Sequence, residues 1–166
     1  MGVLLASVAA TCPAMPGCAA EAPAAQDVQV KDIRALIDRY FLSWSAQDMQ
    51  RYGRCFHPKA VVQLVDPKAG LVSTALGPFL RGQAESHRRS AHRMTETAEN
   101  VEIRREGDLA RVLVAWKLVD GERIETGYDH FTLLKVADEW RIAHLIFYAT
   151  PAARVGASGD GKSSSP

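Results

Sequence analysis

The chain has 166 residues, 47% of them hydrophobic, and its 20 Lys+Arg nearly cancel its 19 Asp+Glu. That length suits one domain with a real core. The charge balance excludes a whole-molecule field that would draw the chain to nucleic acid or to an anionic membrane, and no nucleic-acid-binding motif argues otherwise.

Residues 1–26 stand apart from the rest. Val3–Ala10 is a short apolar run, followed by Cys12, Pro13, Pro16, Gly17, Cys18 and an Ala/Pro-rich stretch. The run is too short to span a bilayer as a mature helix, and it resembles the apolar part of a secretory signal followed by small residues suited to cleavage. The expectation is export, periplasmic or secreted, with Cys18 as a candidate for lipid attachment. No Lys or Arg precedes the run; if it is not a signal, the leader is a disordered Ala/Pro stretch on a cytoplasmic protein. Once Cys12 and Cys18 leave with it, Cys55 has no disulfide partner and reads as a buried, inert thiol.

The domain itself is expected over residues 27–150. Ile33, Leu36, Ile37, Tyr40, Phe41 and Trp44 follow helical spacing along one broad face, with Lys31, Arg34, Asp38 and Arg39 on the other. Asp48 is placed to cap a second short helix whose buried side is Met49, Tyr52, Cys55 and Phe56. His57-Pro58 is expected to stop it, because a residue before proline is pushed out of the α region. Ala60–Val65 reads as a strand, residues 66–70 as a turn, and Leu71–Leu76 as either a short strand or an ordered loop. Gly82 to about His92 reads as a short helix with a poor apolar face of Ala84, His87 and Ala91.

Long strands follow. Thr95–Arg104 and Leu109–Val119 flank a Glu106-Gly107-Asp108 turn, and Asp120-Gly121 is a hairpin signal. Glu122–Val136 carries an expected bulge near Gly127, and Trp140–Ala149 closes the meander. From Pro151 onward the Gly/Ser-rich tail cannot bury enough surface to fold. Helices first and antiparallel strands after make an α+β arrangement. Several strands are apolar on both faces, as in Val112, Val114, Trp116 and Leu118 against Leu113, Ala115 and Val119. An antiparallel sheet with one wet face alternates more cleanly, so a second subunit is expected on the outer face, making a homodimer.

The helix Ile33–Trp44, then Ser45-Ala46-Gln47-Asp48 running into Tyr52, Phe56-His57-Pro58-Lys59-Ala60 and a strand, resembles the opening of the nuclear transport factor 2-like superfamily. The ending, Tyr128-Asp129-His130-Phe131-Thr132-Leu133-Leu134-Lys135 with Trp140-Arg141-Ile142 after a polar turn, is similar to its SnoaL-like and lumazine-binding-like subgroups. The resemblance covers about residues 28–150. It implies a cone-shaped roll, usually dimeric, with helices packed on a curved, mostly antiparallel sheet and an apolar cavity between them. The superfamily spans isomerases, dehydratases, cyclases, hydrolases and silent binding domains, so the fold does not select the function.

Asp129 and His130 are the acid/base candidates. Successive strand residues point to opposite faces, so without a bulge only one of them enters the pocket. If Asp129 points in, Phe131 and Leu133 accompany it; if His130 does, Tyr128 and Thr132 do. Tyr40, Trp44 and Trp116 are candidates for core packing and for ligand contact alike. His57 is either a surface corner or a residue at the cavity mouth. His87, with Arg88, Arg89, His92 and Arg93, is either part of a solvated basic face or an anion site at the rim. No H-E-x-x-H spacing, Gly-rich phosphate loop or nucleophile elbow is present, so neither a metal nor a cofactor is expected. Three functions fit: a domain that binds a small apolar or aromatic molecule, a cofactor-free proton-transfer enzyme using Asp129 or His130, and a dimerising interaction module.

Overall fold

The computed structural model describes residues 23–151. Residues 1–22 of the expected leader, Cys18 among them, and residues 152–166 of the expected tail lie outside it. The chain begins with helix α1 (Pro23–Ser45), the short helix α2 (Met49–Gly53) and the hairpin strands β1 (Phe56–Asp66) and β2 (Gly70–Ala75). Helix α3 (Leu76–Arg89) then leads into β3 (Thr95–Glu106), β4 (Leu109–Asp120), β5 (Arg123–Val136) and β6 (Glu139–Ala149). The strands form one six-stranded sheet in the order β2-β1-β6-β5-β4-β3. All neighbours are antiparallel except β1 and β6, which run parallel. The three helices cover one face, giving the α+β roll that the sequence implies.

Each of the six apolar residues of the α1 stripe is buried against the sheet. Such a side chain contributes roughly 1.5–3 kcal/mol when fully buried, so this face alone explains why the helix docks there. Two polar ties fix its ends. Ser45 Oγ accepts from Glu96 N at 2.8 Å and donates to Glu96 O at 3.0 Å, pinning the C-terminus of α1 to β3. Trp140 Nε1 donates to Gln29 Oε1 at 3.1 Å, holding the other end to β6. Asp48 caps α2 through its side chain, which accepts from Arg51 N at 2.9 Å.

Three elements differ from the sequence reading. Strand β1 starts at Phe56, so His57-Pro58 lies inside it. The ladder to β6 is irregular between Phe56 and Val61, and that gap tolerates the missing proline N–H. Residues 70–75 are an edge strand, one of the two forms the sequence left open. Helix α3 starts at Leu76, because Pro78 sits comfortably in a first turn that needs no N–H donor; Phe79 and Leu80 then supply the apolar face that was missing. The expected bulge near Gly127 is absent, and β4 and β5 pair regularly through Trp116↔Gly127. The irregularities fall between Ala98 and Asn100 on β3, and beside Thr132 and Leu133, where β6 carries Ala143 as an extra residue.

Candidate functional site

Regular pairing of β5 decides which residues enter the interior. Gly127, Asp129, Phe131 and Leu133 point toward the helices and are buried, whereas Tyr128 and His130 are exposed on the outer face. Asp129 and His130 therefore do not share a pocket. Directly across from Gly127 lies Trp116. A Cβ at position 127 would sit 2.2 Å from the indole Cζ2 and 2.1 Å from the Tyr148 carbonyl oxygen. Only a glycine lets the indole lie flat over β5, which brings its N–H beside Asp129.

Asp129 is 2% exposed. Burial drives its carboxyl up to about 7, opposed by the Tyr40 hydroxyl and the Trp116 indole N–H, both of which favour the ionised form. The opposition is incomplete: Asp129 Oδ2 and Trp116 Nε1 are both buried without a hydrogen-bond partner of normal geometry. Burial, with Asp129 second, also pushes the Tyr40 hydroxyl well above its ordinary range. Glu96, at the start of β3, is a half-buried carboxyl nearby; desolvation and then the charge of Asp129 raise it well above the usual carboxylate range. Two acids so close in a poorly hydrated space do not both ionise readily.

Tyr40 roofs this end of the interior. Its ring meets Phe131 edge-on at 5.1 Å, Phe41 at 5.0 Å and Tyr52 at 4.8 Å. One turn along α1, Trp44 roofs a second polar spot. Its ring lies 4.3 Å from that of His87 on α3, and its Nε1 donates to Gln83 Oε1 at 2.7 Å. His87 is 7% exposed, and neither ring nitrogen makes a hydrogen bond of normal geometry. Burial lowers its pKa against the pull of the Trp44 carbonyl, so the imidazole is neutral at pH 7. Asp129 with Trp116 under Tyr40, and His87 under Trp44, form one interior strip about one helical turn long.

The remaining sequence candidates fall elsewhere. His57 is half-buried in β1, and its Nδ1 accepts from Lys59 N at 3.1 Å. His130 stacks on Tyr148 across the outer face at 5.9 Å. The basic run on α3 does not act as a unit: His87 turns inward, while Arg88 and Arg89 both pair with Glu85. Glu96 was not foreseen, because Thr95-Glu96-Thr97 reads as a solvated strand start. Only the folding of α1 over it makes it a half-buried acid.

Trp44, Trp116 and Phe131 fill much of the space beneath α1, each at most 6% exposed. The opening nearest the strip is a cleft of about 320 Å³ between α3 and the β1–β2 edge, lined by Val62, Leu64, Phe79, Gln83 and Phe147 among others. Gln83, bonded to Trp44, stands between that cleft and the interior. Among the described residues no cluster of three or more His, Cys, Asp or Glu is disposed to hold a metal ion, and no described helix is long and apolar enough to cross a membrane.

The sequence profile of the putative lumazine-binding family matches residues 28–148. No curated protein matches the chain. Among solved structures, a Mycobacterium tuberculosis protein of unknown function is similar at 22% identity and TM-score 0.66, over 80% of this chain and 78% of that one. A putative scytalone dehydratase from Novosphingobium aromaticivorans aligns at 16% identity and TM-score 0.63, over 76% and 87%. A putative dehydratase of the nuclear transport factor 2-like family from Streptomyces avermitilis also aligns at 16% and 0.63, over 76% and 99%. At these identities the likeness is one of fold. With that profile matching residues 28–148, the chain belongs to the putative lumazine-binding family, and its fold is like that of the nuclear transport factor 2-like proteins it aligns with.

Proposed function

We propose that this protein binds a small, flat, mostly apolar molecule beneath α1, displacing part of the aromatic packing that fills that space, with its polar edge held by Asp129 and Trp116. One observation carries the reading. Asp129 Oδ2, Trp116 Nε1 and both nitrogens of His87 are buried among aromatic rings without a hydrogen bond of normal geometry, although the indole N–H lies near Asp129 and the Trp44 carbonyl near His87. Each such group left unsatisfied costs about 1–3 kcal/mol, and native interiors retain few of them without a purpose. A molecule offering a carbonyl to the indole N–H and an N–H or O–H to the carboxylate would satisfy both. Aromatic neighbours supply its faces. The ligand would enter along the α3 cleft as Gln83 releases Trp44. The family description favours a heterocycle of the lumazine type, which carries this pairing of donor and acceptor on one flat frame.

A second reading rests on the Asp129 carboxyl at about 7. A buried acid that gains and loses its proton near neutrality is suited to general acid–base chemistry. In that case Asp129 would move a proton on the bound molecule, while Tyr40 and Trp116 stabilise oxygen charge with their donors.

Lumazine is the direct probe. Titration should quench tryptophan fluorescence saturably in the wild type and at least about tenfold more weakly in Asp129→Leu, which offers the ligand no acceptor. Native mass spectrometry of the freshly purified chain should show a small-molecule adduct that Asp129→Leu loses. A chain without adducts that also ignores lumazine and a panel of aromatic ketones and acids would sink the binding proposal.

A further inference from the structure

A different part of the molecule gathers positive charge. Beside α2 a cavity of about 370 Å³ is lined by Arg39 of α1, Arg51 of α2, Arg54 just after it and Arg141 of β6, with Asp48, Gln50 and Glu139 completing the wall. The acids there are already engaged. Asp48 Oδ1 accepts from the Arg51 backbone N–H, and Glu139 pairs with Arg141. Arg141 also donates Nη1 to the Arg54 carbonyl at 2.5 Å, which fixes its guanidinium at the rim. The Arg39 guanidinium leans on the buried Cys55 thiol. Among the described residues no carboxylate comes within 4 Å of the guanidinium groups of Arg39, Arg51 or Arg54.

Four like charges from three elements therefore face one hollow whose own wall holds two carboxylates, a local excess of two positive charges, with Asp32 and Asp138 lining the adjoining cleft on the far side of Arg39. Such crowding is unfavourable by itself and is relieved by an anion. Guanidinium groups suit this role, since their planar forks meet tetrahedral oxyanions two bonds at a time. The basic run of α3 offers no comparable site, because Glu85 already engages Arg88 and Arg89.

We propose that the cavity between α1, α2 and β6 binds a phosphoryl group, as the free dianion or as the terminal group of a small organic phosphate. Its charge of about two matches the local excess, and the site is separate from the interior strip under Tyr40 and Trp44.

The test is isothermal titration of the full chain with inorganic phosphate and with phenyl phosphate, at constant ionic strength set by chloride. The wild type should bind saturably in the millimolar range or tighter. The double variant Arg51→Gln/Arg54→Gln should bind at least about tenfold more weakly, and Arg88→Gln/Arg89→Gln should match the wild type. All four side chains are exposed, and unfolding midpoints near the wild-type value would confirm intact variants. Tighter binding of phenyl phosphate would point to an organic phosphate, and equal binding to the free ion; either supports the site. Absence of saturable binding across the millimolar range overturns the proposal. So does equal weakening in the two double variants, which would mean diffuse charge attraction.

Discussion

Residues 129 and 130 are chain neighbours with opposite fates. On the inner face of β5, Asp129 meets Tyr40, Trp116 and the proximity of Glu96, and burial turns an ordinary acid into one that titrates near neutrality. On the outer face His130 stacks on Tyr148, beside Tyr128, and remains exposed. The peptide geometry is the same for both; the difference is whether water is present. A strand thus assigns chemical character by parity, and one regular ladder is enough to separate a buried acid from a surface imidazole.

If the inner face is as tightly determined as this, the substitution that disturbs it most should be Gly127→Ala. Its methyl would collide with the Trp116 indole and the Tyr148 carbonyl. We expect a loss of roughly 3 kcal/mol or more, read as a lowered urea midpoint or as failure to accumulate folded protein. Tyr128→Ala, one residue along on the outer face, should cost less than about 1 kcal/mol in the same assay. Equal effects would contradict the parity argument.

Asp129→Asn comes next. The folded-state pKa of Asp129 is raised, so the folded protein keeps a proton that the unfolded chain releases near pH 4. The contribution of Asp129 to stability is accordingly greatest below pH 4 and declines as pH rises toward 7. The amide removes this ionisation, so the variant should gain about 4 kcal/mol over the wild type between pH 4 and pH 8. Urea unfolding at the two values measures it. A residual slope is expected from Glu96, which burial shifts in the same direction. His130→Ala, by contrast, should stay within about 0.5 kcal/mol of wild type.

Smaller effects probe the local geometry that supports the two faces. Asp48→Ala removes the α2 cap and should cost about 1 kcal/mol. At the β5–β6 turn, Ala137 has φ 48 and Asp138 φ 64, a left-handed pair that alanine adopts poorly. Ala137→Gly should stabilise the hairpin by up to about 1 kcal/mol, visible as a small rise in the unfolding midpoint.

How far the sequence led can be judged from these same residues. The α1 stripe and the Asp48 cap are local signals, and both appear as read. Parity on β5 was readable as a choice between two sets of residues, and burial of Phe131 and Leu133 with Asp129 selects one of them. Positions that depend on distant partners were not readable. Gly127 looked like a bulge because the reason for it, Trp116, lies on another strand. Pro58 looked like a helix stop because the irregular ladder that accommodates it belongs to β6. Arg39, Arg51, Arg54 and Arg141 share no spacing rule, since only the docking of α1 and β6 beside α2 brings them together.

The parallel contact of β1 with β6 has a consequence for how the molecule is made. β1 and β2 form a hairpin of their own, and β3, β4 and β5 form a separate meander; β6 is the strand that joins the two. Because Val61 pairs with His144 across most of the domain, that junction closes a long loop and is slow to form. On the ribosome the first half must wait with an open edge until the final strand emerges. A chain cut just before Glu139 should therefore accumulate as two unjoined pieces rather than as a slightly weakened whole.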